Sequence, residues 1–114
     1  MIPRAYRLSN HQEIRRVFRL GKKAYGSLFS FISLPNSLEK SRFAVIVSKK
    51  TAPRAVDRNR IKRFVREALR PNLPHITPGY DSIVVFLKKT PENPDLKAVS
   101  TDIDFLLHRI RLLS

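Results

Sequence analysis

The sequence predicts an α+β fold, in which three helices pack against one small sheet. Apolar residues recur at helical spacing in three segments, and three other short segments alternate or run apolar as strands do. The segments follow the order helix, strand, strand, helix, strand, helix, which predicts a layer of helices on a sheet. The chain has 114 residues, 42% of them apolar, and this length suits one domain with one core over residues 1–114.

The first helix is predicted to follow an extended basic lead-in at residues 1–8. Ser9 or Asn10 provides its N-cap, and Gly21 is placed to end it. Its apolar residues at positions i, i+3 and i+4 are Ile14, Val17 and Phe18. These three share one face of the helix, which predicts packing against the sheet.

Two strands are predicted next, at residues 25–34 and 42–48. In the first strand, Phe29 and Phe31 point to the face opposite Ile32. In the second strand both faces are apolar, which is typical of an interior strand. The alternation leaves open which face of the sheet stays uncovered.

The second helix is predicted to begin after Pro53, with Asp57 as its N-cap, and to stop at Pro71. Its apolar stripe consists of Ile61, Phe64, Val65, Ala68 and Leu69. The apolar run at residues 82–87 predicts a strand covered on both faces. The order strand, helix, strand over residues 42–87 predicts a crossover between parallel strands, which is right-handed as a general rule.

A third apolar stripe predicts a final helix of about four turns. The stripe consists of Leu96, Val99, Ile103, Leu106, Leu107 and Ile110. The aromatic residues Phe64, Phe86 and Phe105 are expected in the core, because a small domain needs large side chains there.

Positive charge is concentrated in residues 49–70. The whole chain has a formal net charge of +14, and this segment alone holds nine Lys or Arg against Asp57 and Glu67. Four residues lie opposite the apolar stripe of the second helix: Asn59, Arg63, Arg66 and Arg70. So many cations near a helix N-terminus oppose the helix dipole, which favours a polyanion-binding surface over an ordinary solvated one.

The composition disfavours several other classes of protein. There is no cysteine, so disulfides and thiolate metal sites are excluded, which fits a cytoplasmic protein. The first residues lack the apolar run of a secretory signal, and no run approaches the ~20 residues that span a bilayer. The histidines lack metal-ligand spacing, and Asp102 and Asp104 do not face each other on a helix. We therefore expect no catalytic residue and no metal site in the protein itself.

Residues 47–70, which contain VSKK and RNRIKRFVREALR, resemble the signature of the bacterial ribonuclease P protein subunit. The segments EIRRVFRLGKKA, FAVIVSKK and DSIVVFLKK and the final amphipathic helix fall in that family's order, so the resemblance covers nearly the whole chain. It implies a fold like the second domain of ribosomal protein S5, with a left-handed βαβ crossover that carries the RNR helix. It also implies a protein cofactor of a catalytic RNA. That RNA removes the 5′ leader of precursor tRNA with bound divalent metal ions such as Mg²⁺.

The resemblance implies two sets of site residues and a monomeric protein in the complex, with no membrane partner. The set that contacts the catalytic RNA is Lys49, Lys50, Arg54, Arg58, Asn59, Arg60, Lys62, Arg63, Arg66 and Arg70. The leader cleft lies between the first helix and one sheet face, and its set is Ile14, Phe18, Phe29 and Phe31. Phe18 matches an aromatic position of the family, whereas Ile14 stands where the family often has Phe.

Two other readings of the basic helix remain open at the level of sequence. A ribosomal or general RNA-chaperone protein has the same composition, and selectivity for its RNA partner distinguishes it. A protein that binds duplex DNA is the other reading, although the helix carries no base-reading set beyond Asn59.

Overall fold

The computed structural model describes residues 6–87, 93–110 and 112. The elements are α1 (His11–Leu20), β1 (Lys22–Tyr25), β2 (Phe29–Pro35), β3 (Arg42–Ile46), α2 (Ala55–Leu69), a 3₁₀ turn (Arg70–His75), β4 (Tyr80–Phe86) and α3 (Leu96–Arg109). The predicted α+β arrangement of three helices and one sheet is confirmed. Residues 1–5 of the predicted lead-in lie outside the described residues.

The four strands form one mixed sheet in the order β1-β2-β4-β3. The pairs β1–β2 and β2–β4 are antiparallel and β3–β4 is parallel, so α2 is the crossover that the sequence predicts. The left-handed sense of this crossover stays a prediction. Strand β1 was missed, because its Lys-Lys start gives no apolar alternation.

Strand β3 lies at an edge of the sheet, so the expectation of an interior strand at residues 42–48 was wrong. Its apolar faces have a different cause. The chain before α1 runs alongside β3, where Arg7 bridges to Phe43 and the Leu8 amide donates to the Phe43 carbonyl at 2.8 Å. Leu8 is buried there, and this segment covers part of the edge.

One side of the sheet, which we call the sealed face, lies under α2 and α3. Its large side chains are Phe29, Phe31, Phe43, Val84 and Phe86. Phe29 and Phe31 are 0% exposed, and the Phe29 and Phe86 rings lie 5.4 Å apart. These rings belong to the main core, because α2 and α3 both turn their apolar stripes toward them.

The opposite side, the α1 face, carries smaller residues. They are Ser30, Ile32, Ala44, Ile46, Ile83 and Val85. Val17 of α1 packs against Ile32 and Ile83, whereas Ile46 and Val85 stay half-buried. The single helix α1 therefore covers only part of this face.

Two carboxylates fix the elements around the sheet. Asp81 is buried on β4 and pairs with Arg42 at 2.7 Å, and Arg42 also pairs with Glu13 of α1 at 2.7 Å. Hydrogen bonds with Asp81, then with Glu13, raise the pKa of Arg42 above its already high ordinary value, so the guanidinium stays charged. This bridge holds the start of α1 against β3 and β4.

The second carboxylate, Asp102 of α3, closes the hairpin between β1 and β2. It is buried and accepts hydrogen bonds from the amides of Ser27, Leu28 and Phe29 at 2.7–3.0 Å. A side chain at Gly26 would collide with this carboxylate, so the close approach requires glycine.

The ends of the helices differ in part from the sequence prediction. Asn10 caps α1, and its side chain accepts from the amides of Gln12 and Glu13 as expected. Helix α2 begins at Ala55, because Arg54 takes extended backbone and its carbonyl already accepts the first helical bonds. Asp57 is therefore not the N-cap; it lies in the first turn, where a carboxylate still offsets the helix dipole.

Helix α3 begins at Leu96 with Asp95 as its N-cap. Four residues of the predicted stripe are buried, namely Val99, Ile103, Leu106 and Leu107, whereas Leu96 is exposed and Ile110 is half-buried. Phe105 is 53% exposed, so its expected place in the core was wrong. It lies two residues before Leu107, and a helix turns positions i and i+2 toward different sides. Within the described part of the chain, no helix has the length and apolar character needed to cross a membrane.

Candidate nucleic-acid interface

Helix α2 presents a basic outer surface that we call the crest, formed by Asn59, Arg60, Arg63, Arg66 and Arg70. The predicted stripe of Ile61, Phe64, Val65, Ala68 and Leu69 is buried against the sheet and α3. Because that stripe fixes the rotation of the helix, the five crest residues are all exposed, and Lys62 on the flank is half-buried. Their predicted contacts with RNA remain predictions, but their positions are those that such contacts need.

Two crest arginines lie against an aromatic ring. The guanidinium carbons of Arg60 and Arg63 are 5.3 and 5.6 Å from the centre of the Phe64 ring, which is itself almost completely buried. Cation–π attraction at this distance restrains both side chains without using their N–H groups. These donors stay available for phosphate or base contacts.

The loop before α2 is a closed turn with two lysines at its tip. Thr51 and Ser48 join through their side chains at 3.0 Å, and the Ala52 amide donates to the Ser48 carbonyl. Lys49 and Lys50 lie between them and are exposed. The turn therefore holds these cations beside the start of α2.

Arg58 has a role that sequence reasoning missed. Its Nη1 atom donates to the carbonyls of Ala52 and Pro53 at 3.0 and 2.8 Å, so it fastens the lysine turn to α2. Part of the guanidinium is thus occupied within the chain. The signal in the sequence is the spacing itself, because an arginine one turn into a helix reaches back to the loop that enters it.

Few acids neutralise this region. Arg54 lies 3.9 Å from Asp57, and its side chain is 77% exposed, so this pair is weak. Among the described residues no other ion pair involves a cation of residues 49–70. The crest and the lysine turn together form a continuous positive surface that attracts a polyanion.

A groove of about 270 Å³ lies between α1 and β3. It is lined by Arg7, Leu8, Ser9, Ile14, Phe43, Ala44, Val45, Ile46 and Arg66. Its floor is apolar, and the crest residue Arg66 reaches its rim around the edge of β3. The groove and the crest are therefore parts of one continuous surface.

The predicted leader-cleft residues separate into two groups. Ile14 lines the groove, and Phe18, one helical turn later, is 39% exposed. The structure corrects Phe29 and Phe31, which lie on the sealed face beneath α2 and α3 and cannot reach the groove. The sheet side is supplied by Ala44 and Ile46 instead.

The acidic and histidine side chains near this surface are the candidate ligands of a metal ion. Within residues 6–87, 93–110 and 112, no three His, Asp or Glu side chains are grouped so that they hold a metal ion. His108 contacts the Asp104 carbonyl, and Asp104 accepts a hydrogen bond from Asn72, so both serve the packing of α3.

The sequence model of the family described as Ribonuclease P matches residues 2–111 of this chain. The ribonuclease P protein component of Fusobacterium nucleatum is 41% identical over 104 residues, covering 90% of this chain and 91% of that protein. The corresponding component of Microcystis aeruginosa is 38% identical over 88 residues, covering 74% of this chain and 73% of that protein.

Solved structures of such proteins have the same fold. The RNase P protein of Thermotoga maritima superposes with a TM-score of 0.80 at 31% identity, covering 90% of this chain and 96% of that one. The RNase P protein of Staphylococcus aureus gives a TM-score of 0.87, covering 97% of this chain and all of that one. Its 24% identity supports the fold alone.

Proposed function

The chain belongs to the ribonuclease P protein family, and we propose that it docks on a catalytic RNA and holds the 5′ leader of precursor tRNA. In this role it is the protein subunit of an endoribonuclease that produces mature tRNA 5′ ends. The observation that carries the proposal is Arg66, which belongs to the crest and also lines the groove. One RNA on the crest and another strand in the groove would meet at this residue.

The crest and the lysine turn suit the catalytic RNA. Folded RNA offers a dense array of phosphates, and each neutralised phosphate releases counterions, which drives binding. The contacts proposed for this RNA are those of Lys49, Lys50, Arg54, Asn59, Arg60, Lys62, Arg63, Arg66 and Arg70. Arg58 contributes mainly by holding the lysine turn in place.

The groove suits a single strand. Its apolar floor and its cationic rim at Arg66 are the two features that single-stranded nucleic acid needs, namely a surface for bases and charges for the backbone. Phe18 is half-exposed on α1 and is available to stack on a base. We propose that the leader lies along Ile14 and Phe18 with Ala44 and Ile46 beneath it.

The protein's own residues bind and orient the substrate, and the hydrolysis is proposed to belong to the RNA. The described residues lack the grouped carboxylates with which a protein nuclease holds metal. Divalent ions such as Mg²⁺ are therefore proposed to be held mainly by the RNA. The proposed complex contains one copy of the protein and works in the cytoplasm.

The test is the formation of mature tRNA 5′ ends by catalytic RNA with and without the protein. We expect the protein to raise the rate at moderate salt, and we expect the gain to shrink when the leader is cut to about two nucleotides, because fewer bases then reach the groove. Equal rates with and without the protein at every leader length would contradict the proposal.

The alternative is a ribosomal or general RNA-chaperone protein. Such a protein would sediment with ribosomal subunits and would leave tRNA 5′ processing unchanged. Binding to folded RNA and to duplex DNA at one fixed salt concentration tests the DNA-binding reading at the same time. The proposal requires the folded RNA to bind more tightly.

A further inference from the structure

A row of side chains on the α1 face continues the groove across the whole sheet. The strand register places Ile46 beside Val85, Val85 beside Ser30, and Ser30 beside Tyr25. Partners in register point to the same side of a sheet, so these four residues form one line from β3 to β1. Tyr25, at the far end of the line, is 62% exposed.

Helix α1 runs beside this row and leaves Ile46 and Val85 half-buried, whereas Ser30 in its middle is only 6% exposed. Its Glu13 pairs with Arg42 of β3, and Gly21 at its end approaches Ile32 of β2. The helix thus crosses over the neighbouring row, where Val17 contacts Ile32 and Ile83. Ile14 and Phe18 lie one turn apart on α1 and can form one wall of a track that leads toward β1.

The track reaches a basic concave surface that wraps around the edge of the sheet, because Lys23 and Tyr25 point to the α1 face whereas Lys22 points to the sealed face. A depression of about 480 Å³ follows the outer edge of β1 and is lined by Lys22, Lys23, Ala24, Tyr25, Arg109 and Ile110. Three of these side chains are cationic and none is acidic. Among the described residues, Lys22, Lys23 and Arg109 form no ion pair. We call Lys22, Lys23, Tyr25 and Arg109 the β1-edge site.

Protection of the sheet edge explains the lysines of this site but not its exposed tyrosine. Lysines on an edge strand prevent pairing with another sheet, and Lys22 and Lys23 serve that purpose. A large exposed aromatic ring on the same edge has the opposite effect, because it adds apolar surface where the backbone is open. Tyr25 therefore needs a different reason, and an aromatic ring beside unpaired cations fits single-stranded nucleic acid.

We propose that the β1-edge site binds the part of the leader farthest from the cleavage point, with Tyr25 stacking on a base and Lys22, Lys23 and Arg109 contacting phosphates. This inference rests on the proposed function, in which the leader enters the groove beside Arg66. Three strand spacings separate β3 from β1 by about 14 Å. At a stacked rise of about 3.4 Å per nucleotide, a strand reaches Tyr25 after about four nucleotides.

Leader length separates this site from the groove itself. The test measures the affinity of the reconstituted holoenzyme for precursor tRNA with a leader of about two or about ten nucleotides. We expect Tyr25→Ala to weaken binding of the long-leader precursor about five- to tenfold, because one base loses its stacking partner. Affinity for the short-leader precursor should stay unchanged, and Tyr25→Phe should bind both precursors as the wild type does.

Phe105→Ala is the matched control, since it also removes an exposed ring, on the outer side of α3. It should leave both affinities unchanged. Two results would overturn the inference: equal weakening for both precursors in Tyr25→Ala, or no weakening for either. A photoreactive uridine at a distal leader position should crosslink to Tyr25 and not to Phe105.

If the proposed function is wrong, the binding measurements give a different pattern. In that case the wild-type protein would not improve precursor binding at either leader length. The inference is then tested by the affinity of the free protein for a single-stranded RNA of about ten nucleotides. Weaker binding by Tyr25→Ala than by Phe105→Ala would support the site, and equal binding would exclude it.

Discussion

The two faces of the sheet come from the same four strands but serve different purposes. The sealed face carries Phe29, Phe31 and Phe86 under two helices, and the two strand-β2 rings are fully buried. The α1 face carries smaller residues under one helix, and Ile46 and Val85 stay half-buried. Large side chains on one face fill the core, and small side chains on the other leave room for the proposed RNA leader.

The comparison shows that an aromatic residue in a strand does not by itself indicate a binding platform. What decides its role is the element that covers its face. On the α1 face the exposed rings come from outside the central strands, from Phe18 on α1 and from Tyr25 on the edge strand β1. Only the three-dimensional arrangement distinguishes these rings from those in the core.

The largest expected effect is a loss of stability, and it should differ between substitutions on the two faces. Phe31→Ala should lower the free energy of unfolding by ~3–5 kcal/mol, because it leaves a cavity in the sealed face. Val85→Ala, on the α1 face, should cost only about 1 kcal/mol, since a half-buried side chain buries less apolar surface. Urea unfolding of both variants measures the difference, and equal destabilisation would mean that the two faces are equally covered.

A smaller loss of stability is expected when Arg42, which ties α1 to the sheet through Glu13 and Asp81, is replaced. Arg42→Met removes the partner of buried Asp81 and of Glu13, and should cost about 2–3 kcal/mol. Because α1 is then no longer tied to β3, leader binding should weaken as well. Arg15→Met, an exposed position on α1, is the control and should change neither quantity. A stable Arg42→Met variant with normal leader binding would show that the bridge does not position α1.

Arg58→Ala should cost about 1–2 kcal/mol, the value of two hydrogen bonds from a charged donor in a partly exposed site. Release of the lysine turn should also make the chain more sensitive to trypsin at Lys49 and Lys50. The control is Arg60→Ala, an exposed crest position that should cost no more than about 1 kcal/mol, the value of its cation–π contact with Phe64, and should leave the lysine turn intact. Equal trypsin sensitivity in the two variants would contradict the role assigned to Arg58.

The elements with strong periodicity were predictable from the sequence. The α2 stripe predicted every buried residue of that helix, and its orientation predicted the crest. The α3 stripe predicted Val99, Ile103, Leu106 and Leu107, but Leu96 at its start is exposed and the buried Asp102 was missed. Strand β1 and the edge position of β3 were not predictable, because they depend on pairing between distant segments. The exposed face of the sheet was also undetermined, since alternation separates two faces without showing which one a helix covers.

The internal contacts of Arg58 and Asp102 lay beyond sequence reasoning for a related reason. From sequence alone a charged residue is assigned to the surface, and only the structure shows its internal partners. Asp102 faces three backbone amides that come from residues 27–29, far away along the chain. Nothing in the local sequence of α3 indicates this contact.

The last prediction concerns a surface where the stability of the fold should change little. Arg63→Ala combined with Arg66→Ala should lower the free energy of unfolding by no more than about 1 kcal/mol, because both side chains are exposed and the Arg63–Phe64 cation–π contact is weak at such a site. Binding to the catalytic RNA should weaken, and the slope of log affinity against log salt should flatten by about 0.7–0.9 for each phosphate that the double variant no longer neutralises.

The matched control for this pair removes the same charge elsewhere. Arg15→Ala combined with Arg16→Ala lowers the net charge equally on the exposed outer side of α1. If the crest is the interface, the control pair should flatten the slope much less, because general attraction by net charge depends weakly on position whereas direct binding to phosphates depends strongly on it. Equal slopes for the two pairs would mean that RNA responds to the charge of the whole protein. The crest would then not be the specific RNA-binding surface, although the description of the fold would still hold.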